Sequence, residues 1–200
     1  MAVSNRTLSL DVRPLANEDG RCVIYWGDGG RDICNVEQTY THVYENVSAG
    51  TEYDVNVVGA AEFALSYMDG FSHPRVEMLQ QCLTSMPEGM LSGCEIAFDT
   101  LPDSLSSIGS EAFRDCRGLA NLTLPDGLHD IGDLVFDHCT SLSNITMDGE
   151  LSSIGVSALS RCDSLESVVF LGKTIEQVEA MENYPWGITD TSVIRVEQAS

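Results

Sequence analysis

The feature that most constrains this chain is a repeat of 23 residues in its second half. Residues 101–123 read LPDSLSSIGSEAFRDCRGLANLT. Residues 124–146 read LPDGLHDIGDLVFDHCTSLSNIT, and residues 147–169 read MDGELSSIGVSALSRCDSLESVV. The three align without a gap. Matched columns include Leu105/Leu128/Leu151, Ile108/Ile131/Ile154, Gly109/Gly132/Gly155, Phe113/Phe136/Leu159 and Leu119/Leu142/Leu165. A degenerate unit precedes them at an offset of 22, where Leu83, Met86, Leu91 and Cys94 match Leu105, Ile108, Phe113 and Cys116. One such unit cannot bury its apolar side alone. The repeat therefore predicts a solenoid in which neighbouring coils supply the core.

The spacing inside the unit sets local structure. Leu119-x-x-Leu122-x-Leu124, Leu142-x-x-Ile145-x-Met147 and Leu165-x-x-Val168-x-Phe170 predict short strands. Alternation turns Leu122 and Leu124 inward and Thr123 outward. Successive coils then stack these strands into a parallel sheet. Pro102 and Pro125 are expected to end the strands, because proline has no N–H for the ladder. The glycine after Ile108, Ile131 and Ile154 is expected in a tight turn with positive φ. Ser110–Cys116 and its copies are expected to form one or two helical turns that bury Ala112 and Phe113.

The seven cysteines are an odd number. Cys94, Cys116, Cys139 and Cys162 follow the repeat, at spacings of 22, 23 and 23. That is a repeat period rather than a disulfide framework, and with no CxxC or HxxxH pair present no structural metal site is expected. The column is expected to be a ladder of buried reduced thiols acting as small hydrophobes.

The phrase LPDxLxxIGxxAFxxCxxLxxLxLP resembles the BspA-type leucine-rich repeat of bacterial surface proteins, some protozoan surface proteins and phage proteins. The resemblance spans about residues 79–172. It departs from the pattern at Met147-Asp-Gly and at Leu159. It implies adhesion and protein binding rather than catalysis, with no catalytic residues to carry over. After it, Thr174–Asn183 places Ile175, Val178 and Met181 at helical spacing, and Val193–Val196 reads as a final strand. Together these predict a cap for the open solenoid end.

The first half reads as a different module. Arg6–Val12, Cys22–Trp26, Val36–Val43 and Thr51–Val58 are expected strands joined by turns, which suggests a small β-sandwich. Tyr25-Trp-Gly-Asp-Gly29, Thr41-His-Val-Tyr44 and Gly50-Thr-Glu-Tyr-Asp-Val-Asn-Val57 resemble the PKD-like, immunoglobulin-like fold over about residues 5–59. Glu62–Met68 is expected to be a helix or an irregular first coil. The fold expected is thus mixed α/β and mostly β: a PKD-like β-domain over 1–60, a connector or degenerate coil over 61–82, leucine-rich repeats over 83–172, and a helix-and-strand cap over 173–200.

Charge excludes some partners. The chain carries 31 acidic and 10 basic residues, for a formal charge of −21. Residues 1–100 hold 15 acids and 5 bases, residues 101–200 hold 16 and 5, so the excess is uniform. Such a surface argues against nucleic acid and against anionic membranes. No apolar run approaches the roughly 20 residues of a membrane span. Met1-Ala-Val-Ser-Asn-Arg-Thr has no apolar core, so no secretory signal is expected.

Candidate chemistry is sparse. Asp28 is expected to accept backbone N–H bonds inside its own turn rather than to bind a cation. Trp26 and His42 are expected in structural roles, His42 through a hydrogen bond. His129 and His138 are expected at exposed, variable positions. No catalytic triad or nucleotide-binding motif accompanies them, so no enzyme and no cofactor are expected. Asn5-Arg-Thr, Asn46-Val-Ser, Asn121-Leu-Thr and Asn144-Ile-Thr fit the glycosylation pattern, which chance and the repeat register explain. The outward columns Asn121/Asn144/Ser167 and Thr123/Thr146/Val169 form the candidate binding surface, since solenoids use this face.

The chain is therefore expected to be a non-enzymatic structural or recognition protein. The leading expectation is a phage virion component, such as a decoration, fibre or tail protein. The alternative is a bacterial surface adhesin, and a less favoured one is an accessory module of an enzyme. Expected partners are other virion or surface proteins, a host glycan or protein, or further copies of the chain.

Overall fold

The computed structural model describes residues 4–14, 22–26, 28–34, 38–47, 56–58, 61–69, 75–76, 84–96, 98–147 and 150–198. The chain divides into two compact units, Met1–Ser72 and His73–Ser200. Strand dominates, and the described residues contain one short α-helix.

The first unit contains two three-stranded antiparallel sheets. In one, β1 (Ser4–Pro14) lies between β4 (Gln38–Val47) and β6 (Ala61–Asp69). In register, Leu8, Leu10 and Val12 pair with His42, Tyr40 and Gln38 of β4 and with Met68, Leu65 and Phe63 of β6, the latter with an irregularity between Ser9 and Leu10. The expected helix or coil at Glu62–Met68 is thus corrected to a strand. Its alternating Phe63, Leu65 and Tyr67 have period two, the period of a strand rather than a helix. The second sheet places β2 (Cys22–Tyr25) between β3 (Arg31–Cys34) and β5 (Asn56–Val58). The expected strand over 51–58 is observed for 56–58, and 51–55 lies outside the described residues.

The second unit is a β-solenoid of about five turns. One four-stranded parallel sheet runs β11 (Asn121–Thr123), β13 (Asn144–Met147), β15 (Ser167–Leu171) and β16 (Ile194–Glu197). The first three are the strands expected from LxxLxL, and β16 is the strand expected in the cap at Val193–Val196. A second parallel sheet stacks two-residue strands: β8 (Ser85–Met86), β10 (Ser107–Ile108), β12 (Asp130–Ile131) and β14 (Ser153–Ile154). It carries the isoleucine column that sequence reading placed before a turn. A further parallel pair joins β7 (Arg75–Val76) to β9 (Glu95–Ile96). Leu105, Leu122, Phe113, Phe136, Leu142 and Ile145 are at most 2 % exposed, so the core runs along the axis between the sheets. The Phe113 and Phe136 rings stack at 5.5 Å, carrying one coil into the next.

The segments expected to be helical are not. Over 111–116 alternate N–H groups point in different directions. Those of Glu111, Phe113 and Asp115 donate to Asp133, Val135 and Asp137 of the next coil, at 2.9, 3.0 and 2.9 Å. Those of Ala112, Arg114 and Cys116 donate three residues back, to Gly109, Glu111 and Phe113. A helix would send every N–H back along its own coil and leave none to bind the coils together. The alternation requires left-handed residues, which recur by column: φ is +59° at Glu111, +55° at Leu134 and +55° at Ser157. A second column holds Asp115 at +56°, His138 at +61° and Arg161 at +55°. The degenerate coil fills both positions with glycine, Gly89 and Gly93.

The Gly109/Gly132/Gly155 column also needs correction. None of the three has positive φ. They are glycines because the coils touch there: a Cβ on Gly132 would lie 2.6 Å from Ser110 N, and one on Gly109 would lie 2.7 Å from Glu88 N.

The cap opens with α1 (Ile175–Glu179), shorter than the expected Thr174–Asn183. Thr174 accepts from the Gln177 N–H and the Gln177 side chain accepts from the Thr174 N–H, a reciprocal cap that fixes the first turn. Trp186 is fully buried, with its ring centroid 5.6 Å from that of Phe170. Its carbonyl accepts the Leu159 N–H at 2.9 Å, and Asn183 Nδ2 donates to Ile154 O at 3.1 Å. The cap thereby satisfies backbone groups of the last coil.

Candidate functional site

Parallel stacking at constant register turns each repeat position into a row. Asn121 aligns with Asn144 and Ser167, and Thr123 with Thr146 and Val169. Both rows project from the outer face of the sheet β11–β13–β15–β16, while Leu122, Ile145 and Val168 between them are buried. Thr100 extends the second row at one end through a single bridge to Thr123. Arg195 extends it at the other, beside Val169. Asn121, Thr123 and Asn144 are exposed, and Ser167, Thr146 and Val169 half-buried.

Part of this polarity binds the coils to one another. Asn144 Nδ2 donates to Asn121 Oδ1 at 2.8 Å and to Ser143 Oγ at 3.0 Å. Ser143 Oγ donates to Ala120 O at 2.9 Å. The Asn121 and Asn144 amides are therefore held in fixed orientations. The threonine row projects beside them. Apart from Val169, the two rows present hydroxyl and amide groups suited to hydrogen bonding, and among the described residues neither row holds an aromatic side chain.

The cysteine column lies inside the solenoid. Cys94, Cys116, Cys139 and Cys162 are buried free thiols. Cys116, Cys139 and Cys162 donate to Leu91 O, Phe113 O and Phe136 O, each about one coil back, at 3.1, 3.0 and 3.1 Å. Burial pushes the Cys94 and Cys162 thiols up to about 12 and those of Cys116 and Cys139 higher still. Thiolate chemistry is closed to them.

In the first unit Trp26, Asp28, His42 and Tyr44 come together. His42 Nε2 lies 2.6 Å from Asp28 Oδ2, and the His42 ring stacks on Trp26 at 5.1 Å. The Gly30 N–H donates to Asp28 Oδ1 at 2.9 Å, and Trp26 Nε1 donates to Asp32 Oδ2 at 2.8 Å. Tyr44 Oη donates to Trp26 O at 2.8 Å. The hydrogen bond from His42 holds Asp28 below the usual carboxylate range; slight burial opposes this and the Gly30 N–H reinforces it. Asp28 thus closes its own turn and anchors His42. Among the described residues no group of three metal-ligating side chains occurs.

One cluster escaped sequence reading. Asp137 is only 2 % exposed yet carries a carboxylate. Its Oδ2 lies 3.2 Å from His138 Nδ1, 3.4 Å from Arg114 Nε and 3.8 Å from an Arg161 guanidinium nitrogen. His138 is accordingly half-buried in an ion cluster, not at the exposed position expected. His129 is exposed, with Nδ1 3.5 Å from Glu150 O. The signal was present in the repeat: the Arg114/Asp137 column changes sign between coils, and the Asp115/His138/Arg161 column runs from an acid to a base. Stacking puts such neighbours in contact.

These features define a class: a short parallel β-solenoid with a capped end and a polar ridge on one sheet. The family model described as BspA type leucine rich repeat region matches in 6 copies over residues 78–184. The match covers more than half of the 200 residues, and the chain belongs to the BspA-type leucine-rich repeat family. Proteins of this family are surface or recognition proteins. The chain is also similar to a crystallised leucine-rich repeat protein from Bacteroides ovatus ATCC 8483, with 33% identity and a TM-score of 0.46. That similarity covers 58% of this chain and 28% of the other. No curated protein matches. Among the described residues no helix is long and apolar enough to cross a membrane.

Proposed function

We propose that this chain is a non-enzymatic recognition protein of the bacterial cell surface. It holds a protein or glycan partner on the ridge formed by Asn121, Thr123, Asn144 and Thr146, flanked by Ser167 and Val169. The observation that carries this reading is the ridge itself: the family's repeat fixes the buried positions and leaves these outward positions in aligned, oriented rows. The virion role that led the sequence-based expectations has no support in the family match, and the bacterial surface alternative fits it better. The family match begins at residue 78, so the PKD-like reading of residues 5–59 rests on the Trp26–Asp28–His42–Tyr44 cluster alone.

The test uses intact bacteria that make the chain and an antibody against it. Labelling without permeabilisation, together with saturable binding of the purified chain to an extracellular protein or glycan panel, is the expected result. Labelling only after lysis, or only on phage particles, would refute the surface assignment.

A further inference from the structure

Beside the ridge lies an open recess of about 380 Å³. Thr100, Leu101 and Asp103 of one coil and Thr123–Gly127 of the next line it. Its origin is a gap in the sheet. From β11 to β16 each coil contributes a full strand, but the preceding coil reaches β11 only through the Thr100–Thr123 bridge and the Thr123 N–H to Asp99 O bond at 2.8 Å. Beyond that bridge, among the described residues, no backbone hydrogen bond joins the two coils until the His129 N–H donates to Ser106 O at 3.0 Å.

The lining is divided by chemistry. Leu101, Leu124 and Pro125 are buried and form an apolar floor. Asp103 and Asp126 are exposed at the rim, one above the other at the 23-residue repeat, and Thr100 and Thr123 bring hydroxyls from the ridge. Among the described residues no arginine, lysine or histidine pairs with either aspartate. A group with an apolar stem and a cationic head complements both parts of that lining. Lysine and arginine side chains have that build: the methylene stem packs on apolar surface while the charge reaches a carboxylate. The chain's charge of −21 attracts such a partner over a longer range.

We propose that the recess takes a lysine or arginine side chain from an extended basic segment of a partner protein, whose backbone lies along the Thr100–Thr123–Thr146 row. This rests on the recognition reading above and narrows its partner to a protein with a cationic segment.

The experiment is an NMR titration of the ¹⁵N-labelled full chain with tetralysine at low salt. Saturable shifts confined to the amides of Thr100, Leu101, Asp103, Thr123, Leu124, Asp126 and Gly127 are expected. Binding should weaken at least tenfold in Asp103→Asn/Asp126→Asn. It should change less than twofold in Asp163→Asn/Glu166→Gln, which removes the same charge elsewhere. Shifts spread over every acidic surface and equal in the two variants would overturn the proposal. So would a neutral oligosaccharide that moves the recess amides when tetralysine does not. If the chain binds an extracellular protein through the ridge with undiminished affinity in Asp103→Asn/Asp126→Asn, the recognition reading stands and the recess assignment fails.

Discussion

Replacing Gly132 by alanine separates two reasons for glycine in this solenoid. Gly132 has no positive φ, so alanine suits its backbone. Its added Cβ would lie 2.6 Å from Ser110 N and 2.9 Å from Ser110 Cα. Those are backbone atoms of the preceding coil and cannot rotate away. Relief requires the coils to part, which also stretches the 2.8 Å bond from the Gly132 N–H to Ile108 O. Overpacking costs about 1–3 kcal/mol, and a backbone neighbour puts this case near about 3 kcal/mol. Gly89 is the opposite case. Its φ is +66° and a Cβ there meets nothing within 4 Å. Alanine at Gly89 then costs only the left-handed conformation, about 1–2 kcal/mol, offset by about 0.4–1 kcal/mol from the stiffer unfolded chain. The stiffer unfolded chain offsets both changes alike, so at about 3–5 °C per kcal/mol for a unit of this size Gly132→Ala should lower the melting temperature by roughly 6–13 °C and Gly89→Ala by roughly 8 °C or less. Thermal unfolding followed by circular dichroism measures both. If Gly132→Ala melts at or above the temperature of Gly89→Ala, close coil approach is not the reason for that column.

Three further outcomes follow from the packing. Cys94, Cys116, Cys139 and Cys162 should resist a thiol reagent at pH 8 in the native chain and react on denaturation, because burial raises all four; mass spectrometry that finds Cys139 labelled within minutes in the native chain would contradict their placement. Trp186→Ala empties a fully buried cap site against Phe170 and should cost about 3–5 kcal/mol in urea unfolding, and a loss below about 1 kcal/mol would show that the cap does not close the core. Asp28 titrates below its ordinary 3.8, so its bond to His42 stabilises the first unit above that pH and is lost as pH falls through the lower folded value; the Gly30 amide shift should follow that acid transition, and Asp28→Asn should abolish it.

How much was legible depended on what repeats. The register of Leu122, Ile145 and Val168 and the outward rows beside them followed from period and alternation alone, because a solenoid uses each position in one way throughout. The backbone of Ser110–Cys116 did not. Its apolar Ala112 and Phe113 suit a helix as well as an alternating turn, and only the inter-coil bonds of Glu111, Phe113 and Asp115 distinguish the two. Non-glycine residues at φ near +55° leave no compositional trace, whereas Gly89 and Gly93 at the equivalent positions of the degenerate coil did. Asp137 was missed because its column, Arg114/Asp137/Ser160, changes chemistry from coil to coil and so gives no repeated residue to match. Its partners Arg114 and Arg161 belong to neighbouring coils and become visible only when columns are compared along the axis. In the first unit no repeat constrains the reading, and the period-two spacing within Ala61–Asp69, the sequence signal for the strand that pairs with β1, was passed over.

The central claim is that recognition uses the Asn/Thr ridge and not the solenoid surface at large. The most direct measurement titrates the full chain and two fourfold alanine variants against an immobilised partner retained by the wild type. One variant replaces Asn121, Thr123, Asn144 and Thr146. The other replaces Ser106, Ser107, Ser152 and Ser153, polar residues on and beside the second sheet. With both variants folded by circular dichroism, the ridge variant should bind at least tenfold more weakly and the other within about twofold of wild type, tenfold being about 1.4 kcal/mol. Equal binding by the ridge variant and wild type would contradict the claim.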